Sequence, residues 1–279
     1  MRRVIKNIRF YCRAFLLDIL SYNSKSKFEK NSIPRVQFIY FHDISEEHLV
    51  NLETLLQQLS KKFTFVSYSQ AIKIIQENKV DKPYLCISLD DGFKNNINGI
   101  TILKKFKISA CFFVCPSFLG LNKLDQLTKI AKDKFNRQYV SFMDWNDIEY
   151  LISQGHEIGS HTMNHVKLSD VNDENAIIEM ESSFKILKEH LNKEIHFAYP
   201  YGKYSHITKE LYNKAFDIGY TSCASAERGC HLKGIKNEAD RFLVRRDHIM
   251  LEWKLSHILY FLNRNSTMSK FQINKFPNL

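Results

Sequence analysis

Glycine and proline are scarce in this chain, 9 and 5 among 279 residues. There is little linker material, and no internal repeat or low-complexity tract interrupts the sequence. No apolar run is long enough to span a bilayer. The nearest candidate, "FYCRAFLLDIL" (residues 10–20), is broken by Arg13 and Asp18 and is followed by no small-residue cleavage site. It reads as an amphipathic helix lying on the domain or on a membrane face, not as a span or a secretory leader. The six cysteines contain no C-x-x-C pair, and Cys86, Cys111 and Cys115 sit in apolar runs where a thiol acts as a small hydrophobe. Without a secretion signal, reduced thiols and a cytoplasmic location are expected. No basic stripe with interleaved aromatics is present, which argues against a nucleic-acid partner.

What is present is a globular composition, 44% hydrophobic and 13% aromatic, long enough for one large α/β domain or two small ones. The net charge of +10 is uneven. Residues 1–30 hold Arg2, Arg3, Lys6, Arg9, Arg13, Lys25, Lys27 and Lys30 against Asp18 and Glu29, which places +6 there. This asymmetry divides the chain into a basic amphipathic segment, 1–32, and a main domain, 33–279. An anionic surface such as lipid headgroups would suit the segment, on the inner face of a membrane; a solvated basic helix with no partner is the alternative.

Strand-like and helix-like runs alternate along the main domain. Strands are expected at 36–41, 63–67, 84–89, 109–114, 156–160, 195–199, 220–225 and 241–246. Helices are expected at 48–63, 68–79, 96–107, 144–155 (Asp144 as N-cap), 172–191, 207–219 and 251–264. Residues 117–141 read as an inserted loop or helical excursion. The alternation argues for a parallel sheet with helices outside, a barrel of about seven or eight units or a doubly wound sheet.

In such sheets function gathers where strands end. Strand 36–41 ends in His42 and Asp43, and strand 84–89 in Asp90 and Asp91. Strand 156–160 ends in His161, with His165 four residues on. Strand 195–199 ends in Pro200, Tyr201 and Gly202, and strand 241–246 runs into Arg245, Arg246, Asp247 and His248. On a helical turn the spacing of His161 and His165 would put both imidazoles on one face, able to hold one metal. Of two adjacent carboxylates, one can ligate the metal while the other takes a proton from water. The competing readings are two surface histidines and an Asx turn capping the next helix. The coincidence of both patterns at strand ends favours the site.

"SLDDGF", "GHEIGSHTMNH" and "FAYPYG" resemble, in order and spacing, the first three motifs of the polysaccharide deacetylases, carbohydrate esterase family four (chitooligosaccharide deacetylase homology domain), over roughly residues 35–250. The resemblance implies a distorted (β/α)7-type barrel and a divalent metal, usually zinc, on Asp91, His161 and His165. It implies Asp90 as general base, the Tyr201 N–H as oxyanion donor, and hydrolysis of an N-acyl group, most often the N-acetyl of an amino sugar. Two departures stand out. Ala198 occupies the place of an arginine that orients the catalytic aspartate, so Arg245 or Arg246 is expected to reach in, a surface ion pair being the other reading. The family's last motif, a strand ending in an acid histidine, has no C-terminal counterpart, since "KLSH" ending at His257 has helical surroundings. Instead "FIYFHD" (38–43) matches its character, which makes His42 the expected general acid in a circularly permuted arrangement. Trp145 is a candidate for stacking on a sugar ring or a core residue at a helix start, and Pro200 and Tyr201 are candidates to line the pocket. The activity expected is removal of an N-acetyl group from a cell-envelope glycan, an exopolysaccharide or its lipid-linked precursor. The alternatives are a carbohydrate-binding module of the same fold without activity, and a deacylase of another N-acyl group.

Overall fold

The computed structural model describes residues 15–31, 33–191, 193–234 and 241–270. Arg2, Arg3, Lys6, Arg9, Cys12 and Arg13 lie outside the described residues. A helical segment over 15–21 and α1 (Ser24–Lys30) precede β1 (Arg35–Phe41). After β1 come α2 (Leu49–Ser60), β2 (Thr64–Phe65), α3 (Tyr68–Gln76) and β3 (Pro83–Leu89). Next are α4 (Ile100–Lys105), β4 (Cys111–Val114), α5 (Leu124–Phe135), α6 (Trp145–Ser153) and β5 (Glu157–Ser160). The chain continues through α7 (Asp173–Leu191), β6 (Phe197–Ala198), α8 (Lys209–Ile218), β7 (Cys223–Ala224) and β8 (Cys230–His231). It ends in β9 (Leu243–Val244), β10 (Asp247–His248) and α9 (Leu255–Met268).

The sheet order is β10-β1-β3-β4-β5-β6-β7-β9, parallel at each step. Only Arg245 and Arg246 separate β9 from β10. One extended segment, 243–248, therefore pairs with β7 at its start and with β1 at its end. The curled sheet thus joins its two edges over seven strand positions, a distorted (β/α) barrel, with the chain's first and last strands as neighbours. β2 adds to β3, and β8 pairs antiparallel with β1; β8 and the separate β10 are features the hydrophobic pattern did not reveal.

Strands covered on both faces must be almost wholly apolar, and every residue of β1 is buried. Its two polar side chains, Arg35 and Gln37, bond internally, although Arg35 Nη2 is buried without a hydrogen-bond partner. Arg35 Nε donates to Gln37 Oε1 at 3.1 Å, and Gln37 Nε2 donates to Asp247 Oδ2 at 2.8 Å. Asp247 also accepts from Asn265 Nδ2 at 2.7 Å, which ties α9 to the barrel wall. At α6 the expected N-cap forms a reciprocal pair. Asp144 Oδ1 accepts from Asp147 N at 3.0 Å, and Asp147 Oδ2 accepts from Asp144 N at 2.8 Å. The excursion at 117–141 is helical over α5, and it builds its own small apolar cluster with Phe93, Phe118 and Phe142. Among the described residues no helix is long and apolar enough to cross a membrane.

Candidate active site

Asp90 and Asp91 leave β3 where the chain turns sharply. Asp90 N donates to Phe41 O at 3.0 Å, and then Asp91 and Gly92 adopt left-handed φ values of 73° and 71°. The two consecutive left-handed residues break strand alternation and bring both carboxylates to one cavity. A non-glycine residue held there is strained, as is common where function fixes geometry. His161 follows β5 directly, its N–H donating to Val114 O at 2.9 Å. The loop 161–165 is not the helical turn expected from the spacing: Thr162 and His165 take φ values of 63° and 52°. Left-handed residues, not helix periodicity, fold His165 back beside His161.

Asp91 Oδ1 lies 3.4 Å from His161 Nε2 and 3.2 Å from His165 Nε2, and all three side chains are buried. His161 Nδ1–H donates to Ala198 O at 2.6 Å, which orients the ring so that its Nε2 faces the carboxylate. Asp91 Oδ1 is nevertheless buried without a hydrogen-bond partner of acceptable geometry. Burial pushes the Asp91 carboxyl up, but His161 and His165 outweigh it and hold it well below the usual range. Burial depresses His165, although Asp91 pulls the other way. Two imidazole nitrogens and a carboxylate oxygen that converge within 4.8 Å of one another, the oxygen without a partner of acceptable geometry, form the donor set of a cation site, so these residues fit a divalent metal.

Asp90 has a different partner. Arg246 Nη1 and Nη2 donate to its two oxygens at 2.7 and 2.9 Å, a buried bidentate pair across 156 residues of chain. Arg246 also donates from Nη1 to Ser88 Oγ at 3.2 Å and from Nε to Ser225 O at 3.0 Å, and it lies 4.5 Å over the Tyr40 ring. Burial alone would lower the guanidinium's pKa, but Asp90 carries it above its ordinary value. Arg246 therefore reaches the carboxylate where Ala198 cannot. Arg245 turns the other way, its Nε donating to Tyr204 Oη at 3.1 Å, because neighbours in an extended segment point to opposite sides.

Tyr201, at φ 63°, and Gly202, at φ 61°, close the same cavity. A Cβ on Gly202 would sit 2.3 Å from Ala226 N, so this turn admits only glycine. Opposite, His42 Nδ1 and His248 Nε2 share a 2.9 Å hydrogen bond. Burial pushes His248 down to about 4, with His42 adding to the effect, so it is neutral near pH 7. The cavity holds about 330 Å³, with His42, Asp90, Asp91, His161, His165, Tyr201 and Arg246 on its wall.

A family model described as polysaccharide deacetylase matches residues 77–221, from the end of α3 through β3, β4, β5, β6 and α8. The chain belongs to the polysaccharide deacetylases. The putative polysaccharide deacetylase YxkH of Bacillus subtilis (strain 168) is 22% identical over 221 residues, covering 77% of this chain and 68% of the relative. Among solved structures, the fold matches the Streptococcus pyogenes deacetylase PplD in complex with acetate, with TM-score 0.62 and 19% identity over 83% of this chain and 98% of that one. IcaB from Ammonifex degensii matches with TM-score 0.62 and 18% identity over 82% and 97%.

In this deacetylase two expected lining residues stand elsewhere. Trp145 starts α6, stacks on His190 at 3.9 Å and 11°, and packs against the main core, so it is not on the cavity wall. Pro200 is buried, while its neighbours Tyr199, Tyr201 and Gly202 line the cavity. The sequence reading missed Tyr40, Lys134, Phe135 and Arg137, which also line it, and the His248 partner of His42. His248 was visible as a strand-end residue. Lys134, Phe135 and Arg137 come from the motif-free excursion and carry no sequence signal.

Proposed function

We propose that this deacetylase removes the N-acetyl group from an amino sugar of a cell-envelope glycan, exopolysaccharide or lipid-linked precursor, with a divalent metal, zinc by its N,N,O donor set, held by Asp91, His161 and His165. The observation that carries this reading is one cavity in which the orphaned Asp91 oxygen faces two imidazoles while Asp90, beside it, is fixed by Arg246. A cation there supplies Lewis acidity toward an acyl carbonyl and toward water. Asp90, its plane fixed by the guanidinium fork, takes the proton of the attacking water. The Tyr201 N–H, which makes no hydrogen bond among the described residues, donates to the developing oxyanion. His42, steadied by His248, gives a proton to the departing amine, which is otherwise a very poor leaving group.

The test separates the two aspartates. Asp91→Ala should lose bound metal by elemental analysis, and Asp90→Asn should keep metal and lose acetate release. A variant Asp90→Asn that also loses metal overturns the division of labour. Metal-free, inactive wild type would favour a binding module of the same fold.

A further inference from the structure

The helical segment 15–21 has its polarity reversed. Its polar side faces the protein: Asp18 accepts from Lys254 Nζ at 2.8 Å and pairs with His257 at 2.8 Å, and buried Ser21 bonds Ser256 Oγ at 3.3 Å. Its apolar side faces outward, with Phe15, Leu16, Ile19 and Leu20 exposed by 68, 55, 56 and 44%, and Tyr22 beyond them by 86%. At about 100° per residue these four side chains cover a sector of about 140°, and Asp18 and Ser21 fall on the opposite side. A helix that merely covered the barrel would bury the first face and expose the second.

We propose that this face docks on an anionic lipid bilayer, its side chains entering the headgroup–acyl boundary. Charge complementarity names the occupant: Arg2, Arg3, Lys6, Arg9 and Arg13 directly precede the apolar face in sequence, and Lys25, Lys27 and Lys30 follow it. No helix among the described residues can span the bilayer, so the mode is interfacial. The anchoring point sets the orientation. Lys254 and His257 stand at the start of α9, a few residues beyond the end of β10, where His248 meets the cavity's His42. The docked face thus belongs to the end of the barrel at which the cavity opens, and docking brings that opening toward headgroup level. Docking itself does not depend on the catalytic reading.

The full chain is sedimented with phosphatidylcholine vesicles containing phosphatidylglycerol, and with phosphatidylcholine alone. Wild type is expected to sediment with the anionic vesicles, less so as salt rises, and at least about tenfold less with the neutral ones. Phe15→Asp with Ile19→Asp should lower the partition coefficient by about 100-fold, roughly tenfold per side chain withdrawn from the apolar boundary. Both positions are exposed, so an unchanged thermal midpoint certifies the fold of the double variant. Wild type remaining in the supernatant with anionic vesicles overturns the proposal, as does a double variant that sediments like wild type. Self-association of wild type in vesicle-free solution that the double variant abolishes also overturns it, naming a second copy of the chain as the occupant.

Discussion

Replacing Arg246 with methionine tests how the site is held. Methionine keeps much of the apolar stem but removes the guanidinium, which lies over the Tyr40 and Phe113 rings and grips Asp90 at 2.7 and 2.9 Å. Asp90 is then a buried carboxylate facing no cation of the chain's own at that position. Deleting one partner of a buried pair typically destabilises by about 3–5 kcal/mol. For a chain of this size that corresponds to a fall in Tm of roughly 5–9 °C. Arg246→Met with Asp90→Asn leaves no unpaired charge and should recover at least about 2 kcal/mol relative to Arg246→Met alone. Differential scanning calorimetry of wild type, both single variants and the double variant closes the cycle. Turnover should fall about 10²-fold in Arg246→Met, because a base displaced by about 1 Å loses that much. Arg246→Lys, which keeps charge without the planar fork, should sit between the two. A single variant melting within about 2 °C of wild type, with the double variant no better, would refute the claim that Arg246 holds the carboxylate.

Other measurements bear on the rest of the site and on pH. His42→Ala should lower kcat by ~10²–10⁴-fold, and His248→Gln by about tenfold with KM little changed; near-normal turnover in His42→Ala removes it from the mechanism. Gly202→Ala forces a Cβ against Ala226 and should shift the Tyr201 N–H, lowering kcat by about 10²-fold or more while KM changes little. Stability should fall in acid. Burial holds His156, His196 and His231 neutral, pushed down to about 4, about 3 and about 3. The unfolded chain takes those protons near the ordinary value of 6.5 and the folded chain does not, so stability drops as pH falls from 6.5 toward 4. Asp247 runs the other way: burial raises it to about 6, so its contribution is lost as pH rises from 3.8 to about 6. Three histidines outweigh one aspartate, and the net chain is acid-labile. His196→Gln should flatten the fall between pH 6.5 and 5 by ~2 kcal/mol, read from urea unfolding at both pH values.

The barrel was legible because parallel strands buried on both faces write themselves as apolar runs such as "YLCISL" and "CFFV", separated by amphipathic helices. The two-residue strands were less legible, since a pairing over β8 or β10 is set by neighbours distant in sequence. The acids and histidines at strand ends were readable by position. What brings His161 and His165 together was misread, because the spacing fits a helix and the backbone instead uses left-handed residues. The partner of Asp90 could be narrowed to Arg245 or Arg246 by strand-end position. Choosing between them needed the side each faces, and a one-residue change of register reverses that.

The segment 243–248 has a consequence for how the protein comes into being. It is among the last parts of the barrel to be made, yet it supplies Arg246 and closes the sheet between β7 and β1. On a ribosome, Asp90 emerges about 155 residues before its guanidinium. During that interval the nascent chain carries the acids and imidazoles of the site with an open sheet edge and no fork to hold the base. A polypeptide truncated before residue 243 contains nearly every candidate reactive group but lacks both Arg246 and the segment that closes the sheet between β7 and β1.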